Sequence, residues 1–419
     1  MGNGNFQAKP TVVLLGTFDT KGMEYAYIKE LLQENGVHTF LVDAGVLGDS
    51  QTTTDFSRHA VAEAAGTSIS ELVSSGDRGA SITTMARGAS VIVQQLYEEG
   101  RMDGILGLGG SGGTALITQV MRALPIGLPK LMVSTMASGE TRPYVGSTDI
   151  TMMYSVVDIA GINRLSAKIL TNAAGAISGM VMMAVPTLTS EKPLIGATMF
   201  GVTTPSVNVA RERLEQLGYE VLVFHATGTG GQSMESLIKD GFITATLDVT
   251  TTELADELVG GILSAGPDRL CSAGEAGIPQ VVSLGALDMV NFGPMESVPS
   301  KFKDRLLYQH NETITLMRTT PNECAELGRS IALKLNASKG PITLFIPLKG
   351  FSLIATEGQL FYDAEADHAL IDALKGNIDQ NVVEIIQVDT DINNPQFAEA
   401  MADRLHELYQ LKQSSNRSC

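Results

Sequence analysis

The sequence contains few cysteines, few charged residues and no long apolar run. Its 419 residues include three cysteines, Cys271, Cys324 and Cys419, whose wide spacing fits neither a zinc site nor a disulfide framework. A reducing, cytoplasmic environment is therefore expected. The amino terminus lacks the apolar segment of a signal peptide, and no run of 18 apolar residues is present, so no membrane span is expected. The six histidines form no close pair, and their spacing gives no sign of a metal site.

Charged residues make up 18% of the chain, below the roughly 25% that is typical of soluble proteins. Together with 44% hydrophobic residues, this low value indicates extensive burial and a buried interface between subunits. The net charge of −17 disfavours duplex nucleic acid and anionic membranes as direct partners. A phosphate-bearing ligand would therefore need local backbone donors to overcome the overall negative field.

Short apolar runs alternate with helical patterns along nearly the whole chain. The first examples are a strand at Thr11–Leu15, a helix at Gly22–Asn35 and a strand at His38–Val42. This alternation predicts an α/β fold with mostly parallel, doubly wound sheets. A segment rich in proline, threonine and charge, residues 186–193, interrupts it and predicts two domains, residues 1–190 and 191–419. Asp77-Arg78-Gly79 is interpreted as the start of a helix that runs to Glu99.

The most informative motif is the glycine-rich turn Gly107-Leu108-Gly109-Gly110-Ser111-Gly112-Gly113-Thr114. It follows a predicted strand, Met102–Leu108, and precedes a predicted helix, Ala115–Leu124. Backbone N–H groups without Cβ crowding can converge on a phosphate there, and the helix dipole adds positive charge. The turn therefore predicts an anion site for a phosphate-bearing ligand.

The turn fits two nucleotide-binding patterns only in part. Gly107, Gly109 and Gly112 satisfy G-x-G-x-x-G, but the next strand ends in Ser134 and Thr135 rather than the acid that holds a dinucleotide ribose. This absence disfavours a nicotinamide cofactor. A P-loop would have lysine where Gly113 stands, so the positive charge on the phosphates would have to come from elsewhere. The alternative is that the glycines only permit tight packing of strand against helix.

Ligands of open α/β sheets bind beyond the carboxyl ends of the strands, so the loops there are expected to form one site. Lys21 could supply the missing positive charge, and Asp19 could hold a magnesium ion. The alternative for Asp19 and Thr20 is helix capping. Asp43 could bond a ribose or a metal-bound water. The predicted nucleotide-binding residues outside the glycine turn are Thr17, Asp19, Thr20, Lys21, Asp43, Ser134, Thr135, Met136, Ser138 and Gly139.

The second half has imidazoles, carboxylates and an arginine after its predicted strands. General acid–base catalysis needs a group that titrates near neutral pH, which His225 or His310 would provide. The candidate catalytic residues are His225, Asp248, Asp288, His310 and Arg318. Alternatives remain open: a single histidine at a strand end can be structural, and Thr250 with Glu253 can form a capping box.

Several of these motifs resemble one known family. They lie, in order, at residues 16–21, 107–114, 124–130, 155–163, 199–205, 223–231, 285–293 and 316–320. They are similar to motifs in the family of the ATP-binding amino-terminal region of the tomato mosaic virus resistance protein, and the similarity extends over nearly the whole chain. The resemblance implies two Rossmann-like α/β domains, ATP binding in the first domain, and a homodimer. It implies nucleotide binding by residues 17, 19–21, 109–114 and 134–139, and no settled reaction.

Three functional hypotheses follow from the residues and the resemblance. The first is an enzyme that binds ATP in the first domain and a small organic acid near the candidate catalytic residues of the second. The second is a regulatory protein in which ATP stabilises one conformation or a complex without being cleaved. The third is a metal-assisted hydrolase or lyase formed by the second domain alone.

Overall fold

The structure is a computed structural model that describes residues 9–184 and 192–416. The chain forms two compact units, one up to Thr187 and one from Leu188. The predicted boundary between residues 190 and 191, with most of the segment that suggested it, lies outside the described residues. Each unit is an α/β structure built around a parallel sheet, which confirms the predicted fold class.

The first unit has a five-stranded parallel sheet in the order β2-β1-β3-β4-β5. Its strands are β1 (Thr11–Gly16), β2 (His38–Asp43), β3 (Gly104–Gly109), β4 (Lys130–Ser134) and β5 (Thr151–Tyr154). The interior of β1 and β3 is apolar and buried, as expected of strands covered on both faces. Gly16 pairs with Asp43 and Gly109 with Ser134, so the strands end level and their loops meet at one edge.

Helices cover both faces of this sheet. They are α1 (Phe18–Glu34), α2 (Arg58–Ala64), α3 (Ile69–Ser75), α4 (Arg78–Glu98), α5 (Ser111–Arg122), α6 (Arg142–Val145) and α7 (Arg164–Met182). One apolar core joins β1 and β3 to α2, α4 and α5, and another joins them to α1 and α7. The Asp77 carboxylate caps α4 by accepting from the Ala80 N–H at 2.9 Å, which starts this helix where the sequence predicts it.

The second unit has a six-stranded parallel sheet and a smaller antiparallel one. The parallel sheet has the order β14-β13-β9-β8-β6-β7 and the antiparallel sheet the order β10-β12-β11. The strands are β6 (Leu194–Met199), β7 (Glu220–His225), β8 (Ala245–Thr250), β9 (Gln280–Gly285), β10 (Met289–Phe292), β11 (Leu307–Gln309), β12 (Thr315–Arg318), β13 (Ile342–Pro347) and β14 (Val383–Val388). The sequence pattern did not predict the antiparallel sheet.

Helices again flank the larger sheet. They are α8 (Thr204–Gln216), α9 (Thr229–Lys239), α10 (Glu253–Val259), α11 (Ser272–Ala276), α12 (Pro321–Asn336), α13 (Ala364–Asn377) and α14 (Pro395–Asn416). The largest apolar core of this unit packs α12 and α13 against β9 and β13, while α8 and α14 cover the opposite face. Among the residues that the structure describes, no helix is both long and apolar enough to cross a membrane.

Candidate functional site

Two glycines of the glycine-rich turn are required by packing. A Cβ on Gly107 would lie 2.4 Å from Ile117 Cγ2, and one on Gly109 would lie 2.8 Å from the backbone of Gly113 and Thr114. Both distances are shorter than non-bonded carbon atoms tolerate. Gly107 and Gly109 therefore let α5 lie close against β3, so the packing interpretation holds for this part of the turn.

Gly110 and Gly113 have space around them, whereas Gly112 lies closer to a neighbouring side chain. A Cβ on Gly110 would have Thr135 Oγ1 as its nearest neighbour at 3.8 Å, and one on Gly113 would have the Leu108 carbonyl oxygen at 3.6 Å. On Gly112 it would lie 3.3 Å from Ile82 Cδ1. Packing does not demand glycine at Gly110 or Gly113. All three glycines line a cavity, where the missing side chains leave the backbone accessible.

The helix α5 begins within this turn, earlier than the sequence predicts. Gly110 is the capping residue, and the first helical hydrogen bond runs from the Thr114 N–H to the Gly110 carbonyl oxygen at 2.8 Å. The N–H groups of Ser111, Gly112 and Gly113 donate no hydrogen bond within the described parts of the chain. Three such donors at the positive end of a helix dipole form a site suited to an anion.

The cavity beside these donors has a volume of about 480 Å³. The amino termini of α1, α4 and α5 all contribute to its wall, through Thr17, Asp77 and Gly110 respectively. Apolar side chains line the rest of it, among them Val46, Leu47, Leu72, Val73, Ile82 and Leu116. The cavity thus combines donors for an anionic group with an apolar surface that suits an aromatic or aliphatic group.

Asp19 lies in the wall of this cavity and does not cap a helix. Its Oδ2 atom accepts from the N–H groups of Leu47 and Gly48 at 3.0 and 3.1 Å, which fixes the loop after β2. Its Oδ1 atom is buried and has no hydrogen-bond partner within the described residues. The Thr17 and Thr20 hydroxyls, also in the wall, lie 2.9 Å apart. This buried carboxylate oxygen therefore lacks a donor or cation of the protein's own among the described residues.

Lys21 and Asp43 each bond to the backbone. Lys21 lines the cavity, but its Nζ atom donates to the Ile159 carbonyl oxygen at 2.5 Å. Asp43 is buried, and its Oδ1 atom accepts from the Phe18 N–H at 3.1 Å and the Gly45 N–H at 2.8 Å. Burial raises the pKa of the Asp43 carboxyl. Asp43 lies outside the cavity lining, where it holds the start of α1 against the loop after β2.

The loop after β4 also lies outside the cavity lining. The Ser134 hydroxyl is buried, lies 2.6 Å from the Thr114 hydroxyl and accepts from the Met136 N–H at 2.9 Å. The contact between Ser134 and Thr114 thus joins the glycine turn to β4 outside the cavity lining. The other residues predicted in this loop that do not line the cavity are Thr135, Met136, Ser138 and Gly139.

Arg78 lies in the cavity wall and was not among the predicted site residues, because the sequence marked it only as part of a helix start. Its Nη2 atom is 4.0 Å from the position that a Cβ on Gly112 would occupy. Its guanidinium makes no hydrogen bond or ion pair within the described parts of the chain. One signal could have found it: a cation in the first turn of a helix opposes the helix dipole, so it contributes little to the helix itself.

The candidate catalytic residues of the second unit do not form one site. His225, at the end of β7, and His310, after β11, are both exposed. Asp248 on β8 is buried and separated from β7 by β6. Its carboxylate receives two hydrogen bonds of 2.6 Å from the Arg269 guanidinium, a bidentate ion pair that the sequence did not predict.

Glu253 completes this ion pair and occupies a second glycine turn, His225-Ala226-Thr227-Gly228-Thr229-Gly230-Gly231, which leads from the end of β7 into α9. Its Oε2 atom lies 2.6 Å from Arg269 Nε, and its Oε1 atom accepts from the N–H groups of Gly228 and Gly231 at 2.7 and 3.0 Å. The alternative of a capping box formed by Thr250 and Glu253 is wrong, because Thr250 hydrogen-bonds to Thr203 at 2.7 Å and α10 begins only at Glu253. Glu235, 3.3 Å from Arg269, adds a third carboxylate to the network.

Asp288 and Arg318 belong to a different buried network. Asp288 Oδ2 accepts from the Ser352 hydroxyl at 2.8 Å, and burial raises the pKa of this carboxyl. Arg318 pairs with Asp367 at 2.6 Å and donates to the Thr319 hydroxyl at 2.7 Å. Across the described residues, no group of three or more histidines, cysteines or carboxylates is arranged to hold a metal ion.

These features define a two-unit, Rossmann-like α/β protein whose first sheet has a partly polar cavity at its carboxyl edge. Its family is given by two sequence models. The N-terminal domain of the uncharacterised protein family UPF0261 matches residues 10–186, and the C-terminal domain of the same family matches residues 192–409. The chain therefore belongs to the UPF0261 family.

Individual relatives agree with this assignment. A UPF0261 protein of Clostridium tetani is 54% identical over 394 residues, which cover 94% of this chain and 98% of the relative. The tomato (Solanum lycopersicum) ToMV resistance protein Tm-1(GCR237) is 43% identical over 337 residues, covering 79% of this chain and 45% of the tomato protein. The resemblance inferred from the motifs is thereby confirmed. Among solved structures, MurG of Acinetobacter baumannii aligns with 98% of this chain at 11% identity and a TM-score of 0.22.

Proposed function

We propose that this chain binds ATP in the cavity of its first unit. The observation that carries the proposal is the set of three N–H groups, of Ser111, Gly112 and Gly113, that face a cavity without an acceptor of their own. The first N–H groups of a helix have no intrahelical acceptor, and an anionic ligand in the cavity would accept from all three of them. A phosphate group would rest on these donors, as phosphates do at other helix amino termini.

The cavity also suits the rest of a nucleotide. Its volume of about 480 Å³ falls within the range of roughly 300–1,000 Å³ usual for small-molecule sites. Leu72, Val73 and Ile82 offer an apolar surface to the base. The unpartnered Oδ1 of Asp19 fits a magnesium ion held directly or through water, and a bound magnesium ion would neutralise phosphate charge.

Calorimetry with ATP and magnesium tests this proposal. The variant Gly112→Val places a branched side chain against Ile82 and Arg78 and crowds the donors, so we expect its ATP affinity to fall at least tenfold, that is by about 1.4 kcal/mol. Gly376→Val is the matched control, since Gly376 is an exposed helical glycine with open space around it. Equal ATP affinity in both variants, or no binding by the parent, would refute the site.

A regulatory role is the second candidate, in which ATP is bound without being cleaved. Two observations favour it: glycine stands where a P-loop has its lysine, and the nearby Lys21 donates to the Ile159 carbonyl oxygen. Binding of this kind raises the melting temperature by mass action without turnover. Catalytic ATP hydrolysis well above background would contradict a purely regulatory role.

The remaining hypotheses receive less support from the geometry. An enzyme acting on a small organic acid would need its catalytic groups together, but Asp248 and Asp288 lie in separate buried networks. A metal-assisted reaction in the second unit has no visible ligand cluster within the described residues. Bound metal that survives dialysis of the purified protein and is released by His225→Ala would reopen that hypothesis.

We further propose a cytoplasmic homodimer without direct contact to nucleic acid. The low charge content and the exposed apolar side chains of α7, Leu165, Met180 and Met182, support an interface between two copies. The small number of cysteines supports a reducing compartment. Sedimentation equilibrium measures the assembly state, and a monomer at micromolar concentration would contradict the dimer.

A further inference from the structure

We propose that Arg78 is the residue that recognises the phosphate group bound at the amino terminus of α5. The inference rests on the proposed nucleotide site and adds a residue that determines its specificity. It assigns to Arg78 the positive charge that a P-loop takes from lysine, and it places this charge on α4 rather than in the glycine turn. The ligand class it selects is the phosphorylated nucleotide over the free nucleoside.

The charged groups around the cavity support this assignment by elimination. Lys21 Nζ donates to the Ile159 carbonyl oxygen, so part of its hydrogen-bonding capacity is used by the protein. The Asp77 carboxylate accepts from the Ala80 N–H as the cap of α4 and does not pair with its neighbour. Arg58, beside the loop after β2, pairs with Asp49 at 2.8 Å. Arg78 is thus the cavity arginine whose guanidinium has no partner in the described parts of the chain.

The position of Arg78 fits phosphate recognition. Its Nη2 atom lies 4.0 Å from the Cβ position of Gly112, beside the N–H donors of Ser111 to Gly113. A phosphate on those donors would lie within reach of the guanidinium, which offers paired N–H groups in a fork that matches phosphate oxygens. The side chain is exposed, so it can adjust to the ligand without breaking an existing contact.

Arg78 contributes little to the stability of the unliganded protein. It is the first residue of α4, where the positive end of the helix dipole opposes a cation. Arg164 occupies the same position in α7, is also exposed and lies outside the cavity lining. Replacing either arginine by alanine removes one charge from a helix start, which makes Arg164→Ala a matched control.

Calorimetry with ATP and magnesium at several salt concentrations tests the proposal on the full chain. We expect Arg78→Ala to weaken ATP binding on the order of 10- to 100-fold and to flatten the dependence of affinity on salt, because one charge contact is lost. Arg78→Lys should recover part of the ATP affinity and part of its salt dependence. Arg164→Ala should match the parent in both quantities. The melting temperature without ligand should be the same for the parent, Arg78→Ala and Arg164→Ala.

Each other result overturns the inference in a distinguishable way. If Arg78→Ala binds ATP as tightly as the parent while Gly112→Val does not, the nucleotide site stands and Arg78 has no part in it. If Arg78→Ala and Arg78→Lys lose affinity equally with an unchanged salt dependence, the role is structural. If the parent itself binds no ATP, the proposed function and this inference fail together.

Discussion

The Oε1 atom of Glu253 accepts a hydrogen bond from the Gly228 N–H at 2.7 Å, in the glycine turn that begins α9. In the second unit, a carboxylate of the protein itself thus accepts from the N–H groups at the start of a helix. In the first unit, the N–H groups at the start of α5 face a cavity instead. A Cβ on Gly231 would lie 2.2 Å from Glu253 Oε2, so this turn needs glycine to admit a side chain of the protein itself. Similar glycine turns therefore serve an internal ion pair in one unit and a cavity in the other.

We predict that Glu253→Ala strongly destabilises the second unit. The change leaves the buried N–H groups of Gly228 and Gly231 and the Nε of Arg269 without acceptors, and each such loss costs about 1–3 kcal/mol. Differential scanning calorimetry should show a melting temperature lower by roughly 5–15 °C. Glu257→Ala, an exposed glutamate on the same helix, is the control and should change it little. Similar melting temperatures for both variants would show that the internal carboxylate is dispensable.

The glycines of the first turn should differ in their effect on stability. Gly109→Ala forces a Cβ to within 2.8 Å of the backbone of α5, so we expect a loss of about 1–3 kcal/mol and a lower melting temperature. Gly113→Ala adds a Cβ at an ordinary contact distance, 3.6 Å from the Leu108 carbonyl oxygen, in a helix where alanine is favoured over glycine by up to about 1 kcal/mol. The melting temperature of Gly113→Ala should therefore equal or exceed that of the parent, and the melting temperature of Gly109→Ala should be lower. The reverse order would contradict the packing described for β3 and α5.

The stability of the second unit should depend on the ionisation of Asp256. Burial raises the pKa of this carboxyl from 3.8 to about 7, although Asn291 and Leu263 donate hydrogen bonds to it. Between these two values the folded state holds a proton that the unfolded state has lost. Stability from this group therefore falls as pH rises, by up to about 1.4 kcal/mol per pH unit.

Asp256→Asn removes this titration. The melting temperature of the variant relative to the parent should rise steadily from pH 4.5 to pH 7.5, whatever the cost of the substitution at low pH. Asp268→Asn, at an exposed aspartate nearby, should keep a constant offset from the parent. A constant offset for Asp256→Asn as well would mean that Asp256 is already charged in the folded protein at pH 4.5.

Asp19 should govern the magnesium dependence of ATP binding. Asp19→Asn keeps an oxygen that can accept from the Leu47 and Gly48 N–H groups, but it removes the charge on the unpartnered oxygen. We expect the gain in ATP affinity on adding magnesium to shrink roughly tenfold, with little change in affinity without the metal. Asp103→Asn is the control, because its carboxylate also accepts a backbone N–H, that of Thr11, and it lies outside the cavity lining.

The same variant separates an enzyme from a regulator. If ATP is hydrolysed above background and the rate is lost in Asp19→Asn but kept in Asp103→Asn, a purely regulatory role is excluded. If neither the parent nor the variants turn ATP over while the parent binds it, the regulatory proposal stands. An unchanged magnesium dependence in Asp19→Asn would remove Asp19 from the metal site.

The parallel strands were predictable because they are short apolar runs between helical patterns. The strand predicted at Thr11–Leu15, for example, is β1, Thr11–Gly16. The antiparallel sheet was missed because its strands have only three or four residues, and β10 lies within the glycine-bounded motif at residues 285–293. Periodicity needs more residues than these strands contain.

The sequence alone did not distinguish residues that could bind a ligand from residues that form internal contacts. Asp248 and Asp288 were interpreted as catalytic because they follow strands, but the residues that pair with or approach them are distant in sequence: Arg269 for Asp248, and Ser352 for Asp288. Arg78, in contrast, was not predicted as a site residue, because nothing in its local sequence pattern shows that it lies near Gly112. A carboxylate that binds a ligand and one that forms an internal ion pair have the same sequence signature.

The sequence by itself determined the α/β fold of both units, the family and the presence of two glycine turns at helix starts. These properties depend on local spacing of apolar residues and on glycine, which act within a few residues along the chain. Only the tertiary structure decided that one turn is filled by Glu253 while the other faces a cavity. Whether a backbone donor is free depends on which distant side chain reaches it, and that is settled only when the elements pack together.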